Sequence, residues 1–504
     1  MNRTEMLKRA LSREKSWDFI IIGGGASGVG CAVDAASRGF DVLLLEQSDF
    51  GKGTSGKSTK LVHGGVRYLA QGNISLVREA LKERGNLLRN APHLIQKTAF
   101  VVPCYTLWDK IFYGAGLKIY NLLSGRYSFG NSQILSKSET LQRLPNIKSE
   151  NLKGGVVYFD GQFDDTRLLI NLAQTAFSQG ATLLNYARVS AVTKAENGKI
   201  DGVKFHDAET GAEFAAKAKI VINATGAFCD AVRRLSTTNA ENIIAPSQGI
   251  HLVFDRKFAP SESALMIPKT SDGRVLFAIP WHDKTLVGTT DTPVGKAELE
   301  PEAFAGEIEF VLKTAANYLA EAPRREDVLS VFAGVRPLVK NENTKNTARL
   351  ARDHTIEIDA ANLLTLTGGK WTTYRRMAED AVNQAIKLAK LPEKKCRTEN
   401  LKIYDASERE IQKLIEENPG LAEKIHEDLP YRKAEIVRAA RIEMAQTVED
   451  ALARRTRALF LNARAAIESA SETARIMAEE LGKNEDWAEA QIAAFNETAR
   501  KYLI

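Results

Sequence analysis

Gly23-Gly24-Gly25-Ala26-Ser27-Gly28 fits the pattern G-x-G-x-x-G, and Glu46 stands about twenty residues beyond it. The chemistry such a set can do is anion capture. Gly23 permits a tight turn, Gly25 lets the backbone approach a pyrophosphate, and Gly28 allows a helix and a strand to pack closely. Unfilled N–H groups at the start of that helix, with Ser27 among them, offer hydrogen bonds to the anion. The Glu46 carboxylate can accept hydrogen bonds from a ribose. Two later stretches have a related form, an apolar run ending in glycine. One is Val221-Ile222-Asn223-Ala224-Thr225-Gly226; the other is residues 363–366, leading into Thr367-Gly368-Gly369-Lys370-Trp371-Thr372-Thr373. Separated strand-to-glycine turns suit an extended cofactor held by discontinuous pieces of chain. That favours a flavin dinucleotide over a nicotinamide one.

The elements that must position these residues follow from the apolar pattern. Residues 18–22 read as a buried strand, 26–38 as a helix and 42–45 as a second strand, which is a βαβ unit. Residues 51–68, rich in Gly, Ser, Thr and Lys, read as loop, and a charged helix follows at 76–90. Residues 107–124 carry apolar and aromatic side chains on nearly every side, with Lys110 and Lys118 interspersed. That make-up fits a segment lying in a membrane interface and fits equally a buried helix between domains, while Gly114 and Gly116 weaken a single long helix. Strands and turns alternate over 183–222, with further strands at 249–254, 275–280, 285–288 and 363–366, the last opening a helix at 374–388. Beyond about residue 400 the chain turns to Ala, Glu, Lys and Arg at helical spacing. Ile467, Ala470, Ala474, Met477 and Leu481 share one face, and Val437, Ala440, Met444 and Val448 another, which reads as a separate helical domain. Residues 1–16 read as a basic helical arm with a solvated face.

Composition narrows the function classes. A chain of 504 residues is too long for one core, and 44% hydrophobic with 26% charged residues leaves little room for disorder. The net charge of +6 suits anionic substrates or an anionic membrane surface. No basic-aromatic module argues for nucleic acid. Cys31, Cys104, Cys229 and Cys396 are far apart and form no C-x-x-C pair, so no zinc site, redox dithiol or disulfide framework is expected. The basic N-terminus lacks the apolar stretch of a secretory signal. No uncharged apolar run reaches about 18 residues, so any membrane contact is expected to be peripheral.

One stretch is far more specific than these patterns. Thr54-Ser55-Gly56-Lys57-Ser58-Thr59-Lys60-Leu61-Val62-His63-Gly64-Gly65-Val66-Arg67-Tyr68-Leu69 strongly resembles the FAD-dependent glycerol-3-phosphate dehydrogenases, both bacterial peripheral-membrane and mitochondrial inner-membrane enzymes. The likeness continues through Phe159-Asp160-Gly161-Gln162, Gly288-Thr289-Thr290-Asp291-Thr292-Pro293, Gly334-Val335-Arg336-Pro337-Leu338 and Gly368-Gly369-Lys370-Trp371-Thr372-Thr373-Tyr374-Arg375. It reaches the helical region at Thr447-Val448-Glu449-Asp450-Ala451-Leu452-Ala453-Arg454-Arg455-Thr456. The calcium-binding units of the mitochondrial branch have no counterpart here, and no metal is expected.

The resemblance implies an α/β fold: a Rossmann-type FAD-binding domain, an inserted mixed β-sheet substrate domain and a C-terminal all-helical domain. The expected divisions are an arm at 1–16, an oxidoreductase region at 17–395 and helices at 400–504. Within the oxidoreductase region, FAD-binding segments fall at about 17–102, 156–245 and 340–390, and substrate segments at about 103–155 and 246–339. The implied reaction is oxidation of sn-glycerol 3-phosphate to dihydroxyacetone phosphate by hydride transfer to non-covalent FAD, the electrons passing to a membrane quinone. A homodimer at the inner face of the cytoplasmic membrane fits that family. Motif matching places Arg67, Tyr68, His251, Arg336, Arg352 and Lys370 around the substrate. It places Gly23, Gly25, Ser27, Gly28, Glu46, Ser55, Ser58, Thr59, Lys60, His63, Gly64, Gly65, Thr225, Gly226, Gly368, Gly369 and Lys370 around FAD.

The chemistry stands independently of that match. A phosphate dianion calls for cations that survive burial, and the planar fork of Arg binds its oxygens in bidentate fashion. A base must take the C2-hydroxyl proton, and His251 can be neutral at cellular pH. Lys370 and Arg336 can stabilise a developing alkoxide or negative charge on the flavin. Arg352 beside Asp353 also fits a surface pair. Two other functions compete: a soluble oxidase of the same fold using O₂, whose members typically carry an extra insert, and a non-catalytic flavin and phosphometabolite sensor. Retention of Arg67, His251, Arg336 and Lys370 argues against the sensor.

Overall fold

The structure, a computed structural model, describes residues 1–70, 72–340 and 354–504, apart from the side chains of Arg67 and Ala70. Among these residues the strands form two sheets. The first grows around Trp17–Ile22, which pairs in parallel with Val42–Leu45 on one side and Glu213–Asn223 on the other. Thr182–Leu184 and Leu363–Gly368 extend the parallel set, and His354–Ile358 adds an antiparallel edge. Parallel strands have both faces covered and so read as continuous apolar runs; all four residues of Val42–Leu45 are buried. One cover is the helix Ala26–Ser37, packed between Asp165–Ser178 and Tyr374–Leu388. Enclosed on all sides, it is built of small residues, and at Gly30 a Cβ would lie 2.9 Å from the Tyr374 ring.

The second sheet is centred on Ile244–Asp255, which runs antiparallel to Ser330–Val339 on one edge and to Lys284–Gly288 on the other. Ile95–Cys104 and Gly154–Phe163 also belong to it, paired antiparallel from Ile95 opposite Phe163 to Cys104 opposite Gly154. The sheets therefore do not divide near residues 102 and 156 as expected, because one long register holds both strands together. The apolar side chains Leu117 and Tyr120 of the helix Leu107–Ser124 pack on this sheet. That helix is continuous through both of its internal glycines. Thr106 and Asp109 cap its start reciprocally, and a Cβ at Gly114 would come within 3.1 Å of Ile134.

One further expectation changes. The N-terminal arm is a helix, Arg3–Leu11, but not a solvated one: Met6 is fully buried, and the buried guanidinium of Arg3 pairs with Asp207 and donates to Asn185 O at 3.0 Å. A partner 204 positions away leaves no trace in the local charge pattern. The C-terminal helices, including Lys433–Ile442, Ala470–Leu481 and Glu485–Arg500, do bury Val437, Val448, Ala470, Ala474 and Met477. They form the expected C-terminal helical domain, and it packs closely on the second sheet. Phe460 and Tyr502 share one apolar cluster with Trp281 and Phe332 of the second sheet, and Val331 N donates to Tyr502 O at 2.9 Å.

Candidate active site

A cleft of about 810 Å³ opens between the two sheets. Its floor is made by the C-terminal ends of parallel strands, where open α/β sheets bind ligands. Trp17–Ile22 ends in Gly23, whose φ of +113° and a would-be Cβ only 2.7 Å from Ala224 O exclude any other residue. At Gly28 a Cβ would lie 1.9 Å from Gly23 O, so the helix packs directly on the turn. Gly25 begins that helix without a side-chain cap of its own; Ser55 Oγ accepts from Ala26 N instead, at 2.9 Å. Glu46 turns its carboxylate onto the same turn, accepting from Gly24 N at 2.6 Å and Ser48 N at 2.8 Å, and burial raises its pKa. Ser27, Thr225, Gly226, Gly368 and Gly369 line the cleft beside it. Thr225 Oγ1 donates to Asn223 Oδ1 at 2.7 Å, which fixes the second strand end.

The loop at residues 51–65 forms one wall. Ser55, Ser58, Thr59 and His63 line the cleft, and Ser58 is anchored through N and Oγ to Asp165 Oδ2 at 3.0 and 2.7 Å. Trp371 Nε1 donates to Ser55 O at 2.8 Å and ties the loop to the third strand end. Lys60, Gly64 and Gly65 are not brought to the cleft wall. The Lys60 side chain is fully buried against Asp165, with its backbone at φ +63°. Gly64 N donates to Tyr120 Oη at 2.8 Å, and a Cβ there would strike Leu81. Turn residues can point either way, and the sequence does not say which.

The cationic end lies against the second sheet. His251 faces Gly288 on one neighbouring strand and Phe332 on the other. A Cβ at Gly288 would fall 2.3 Å from the imidazole, so glycine there makes room for the ring. Nε2 is 3.0 Å from Thr59 Oγ1, and the ring stacks on Phe332 at 5.0 Å. Burial, then the charges of Lys60 and Arg336, holds its pKa well below that of a free imidazole. Arg336 comes from the same strand as Phe332, its guanidinium fixed by Thr290 O at 2.9 Å, Thr289 Oγ1 at 3.1 Å and Asp291 at 3.5 Å. Lys370 Nζ lies 3.7 Å from the centroid of the Tyr68 ring. His251, Arg336 and Lys370 line the cleft; Tyr68 stands behind Lys370 rather than on the wall. The side chain of Arg67, and Arg352 entirely, lie outside the described residues. Sequence reasoning missed Lys57, which lines the cleft and pairs with Glu300 at 2.6 Å, and the buried carboxylate of Asp165. Asp165 directly follows Asp164, the side-chain cap of a helix, and that local signal was available.

Comparison with known proteins agrees with this geometry. A family model described as FAD dependent oxidoreductase matches residues 18–371, and one described as the C-terminal domain of alpha-glycerophosphate oxidase matches residues 360–491. A probable mitochondrial glycerol-3-phosphate dehydrogenase of Caenorhabditis elegans is 39% identical over 539 residues, covering 98% of this chain and 74% of that protein. The glycerol-3-phosphate dehydrogenase from Bacillus halodurans, solved in complex with FAD, matches with a TM-score of 0.79 at 27% identity, over 99% of this chain and 97% of that one. The L-alpha-glycerophosphate oxidase of Mycoplasma pneumoniae, with FAD bound, matches with a TM-score of 0.60 at 18% identity, over 78% and 99%, a likeness of fold alone.

Proposed function

The chain belongs to the FAD-dependent glycerol-3-phosphate dehydrogenases, and from that membership we propose that it oxidises sn-glycerol 3-phosphate to dihydroxyacetone phosphate and passes the electrons to a membrane quinone. The observation that carries the reading is one continuous cleft with a glycine turn at one end and His251, Arg336 and Lys370 on its walls. The turn fits a pyrophosphate: Gly23 and Gly28 leave no space for a side chain, and the helix start presents backbone N–H groups. Gly23, Gly25, Ser27, Gly28 and Ser55 would hold FAD there, with Glu46 on its ribose and Ser58, Thr59, His63, Thr225, Gly226, Gly368 and Gly369 along its length. When bound, FAD supplies the hydride acceptor.

The protein's own residues do the rest. His251, neutral through burial, takes the C2-hydroxyl proton on an imidazole nitrogen. Arg336 and Lys370 hold the substrate's anionic oxygens, and such contacts strengthen as negative charge develops. Tyr68 keeps Lys370 in place, and the sequence motifs add Arg67 and Arg352 as phosphate ligands. These four cations and the base, beside bound FAD, give a phosphorylated secondary alcohol the groups its oxidation requires.

The quinone reading is supported by the helix Leu107–Ser124. No described helix is long and apolar enough to cross a membrane. This one instead turns Leu107, Trp108, Ile111, Phe112, Ile119 and Leu122 outward, with Leu122 81% and Leu107 70% exposed. Apolar exposure that contiguous marks a binding surface, and Lys110 and Lys118 flank it as in helices that lie in a headgroup layer. The test is anaerobic mixing with sn-glycerol 3-phosphate while flavin absorbance is followed near 450 nm, and then addition of a ubiquinone analogue or air. Bleaching reversed rapidly by quinone and slowly by air is expected. Rapid reversal by air would make the protein an oxidase, and no bleaching would overturn the substrate.

A further inference from the structure

Behind the strand that carries His251, three separate segments bring buried charge together. Lys60 Nζ is 2.6 Å from Asp165 Oδ2 and donates to Gly56 O at 3.0 Å. Arg457, from the C-terminal helices, reaches the same place. It donates to Gly56 O at 2.8 Å, pairs with Asp165 at 3.5 Å and donates to Thr166 Oγ1. Residues 56–60 are thus gripped at both ends, and between the grips Thr59 Oγ1 meets His251 Nε2. A second route runs through aromatic rings. Phe332, on which the imidazole stacks, has Lys60 Nζ at 5.1 Å from its centroid and Phe460 at 4.8 Å, and Arg457 lies 3.9 Å over Phe460. The reaction described above uses none of Lys60, Asp165 and Arg457.

We propose that Lys60, Asp165 and Arg457 are positioning residues for His251: they hold Thr59 Oγ1 on Nε2 and set a buried cation beyond Phe332, so that the imidazole stays neutral in one tautomer. The mechanical part follows from the inventory of partners. Among the described residues His251 Nδ1 has no hydrogen-bond partner, so the bond between Nε2 and the Thr59 hydroxyl is the one that can bias which nitrogen carries the proton. The electrostatic part follows from which charges reach the ring. Lys60 on the loop and Arg336 on the neighbouring strand both bear on it, and both are cations. The strand ending in Gly288 brings no charge to it, and Asp291 is engaged with Ser247, Arg274 and Arg336. Burial brings Lys60 down to about 7 against the pull of Asp165, so at the acid pH where an imidazole would take a proton Lys60 is already charged.

The catalytic consequence rests on His251 being the base, but the test reads the imidazole directly. FAD-loaded protein labelled with ¹³C and ¹⁵N in histidine is titrated by NMR, the His251 signals being assigned by their loss in His251→Gln. In the wild type the ring is expected to stay neutral through the range where a free imidazole titrates. In Lys60→Met, similar in volume and uncharged, its midpoint should rise by about one unit or more. Thr59→Val should move the two ring nitrogens from a single-tautomer pattern to a mixed one, and Thr59→Ser should restore it. An unmoved midpoint in a fully flavinated Lys60→Met overturns the proposal, as do wild-type nitrogen shifts in Thr59→Val. If Lys60→Met does not fold, the two Thr59 variants decide alone. Kinetics add the functional readout: the acid limb of kcat/KM should follow the NMR midpoint upward in Lys60→Met. A loss equal at every pH would mean a merely structural role and would count against the proposal. Failure of glycerol 3-phosphate to reduce the wild type would sink the substrate assignment and leave the NMR result standing.

Discussion

A methyl group at Gly28 would sit 1.9 Å from Gly23 O, backbone against backbone, and neither partner can give way without opening the turn. Gly28→Ala is therefore expected to yield folded but largely colourless protein, read as the ratio of absorbance at 450 nm to that at 280 nm; a full flavin complement would show that the turn does not cradle the cofactor. Arg336→Ala should do the reverse, keeping the yellow cofactor while kcat/KM for glycerol 3-phosphate falls about 100-fold or more, since charged hydrogen bonds contribute about 1.5–3 kcal/mol each. Loss of flavin in that variant would count against its role. An unperturbed histidine would give an acid limb near pH 6.5. Burial, Lys60 and Arg336 disfavour the imidazolium, so kcat/KM expressed per substrate dianion, the phosphate's own ionisation near about 6 divided out, should stay level from pH 8 down through 6.5 before falling. A limb centred at or above 6.5 would remove His251 as the base. At this scale the glycine turn was legible because its spacing is local and its physics particular. The direction of the Lys60 side chain was not, because a loop pattern is the same whether a residue faces the ligand or the core.

The helix Leu107–Ser124 shows the same divide one level up. Its aromatic and basic make-up was plain in the sequence, but apolar residues on nearly every side hid which face turns inward. The structure buries Gly114, Leu117, Tyr120 and Ser124 and leaves the large apolar side chains opposite them in the open. The pair Thr106 and Asp109 was the local signal that one continuous helix starts there despite Gly114 and Gly116. Each large apolar side chain buried on docking contributes about 1.5–3 kcal/mol. Replacing Trp108 and Ile111 together by serine should then lower co-sedimentation with anionic lipid vesicles at least tenfold, on the order expected for two such anchors. Flavin reduction by substrate should continue at the wild-type rate, since no residue of this helix lines the cleft. Unchanged vesicle binding would assign the exposed face to something other than a membrane.

Across the whole molecule, the C-terminal helices are fastened to the nucleotide-binding half by buried ion pairs. Asp49, just beyond Glu46, meets Arg454 at 2.6 Å and Arg455 at 2.7 Å. Burial alone would push Glu443 up, but Arg167 and Arg438 outweigh it and hold it at about 2; Arg454 and Lys52 do the same for Glu449. Both carboxylates thus have a folded pKa below the unfolded value of about 4.3. Their contribution to stability is complete above that value and is lost as pH falls from there towards 2. The urea midpoint should fall steeply over that window, and less steeply in Glu443→Gln; equal slopes would place the acid sensitivity elsewhere. The helical region was legible as helices from its periodicity, but its attachment was not, because acid and base that meet from opposite ends of a chain leave no periodic mark. The same attachment has a consequence for synthesis. Residues 56–60 of the cleft wall take one of their anchors, Arg457 on Gly56 O, from some 400 positions later in the chain. A ribosome that has finished the first sheet has therefore made the flavin's place without its last fastening. A chain stopped at residue 400 should hold its colour less tightly than the finished protein.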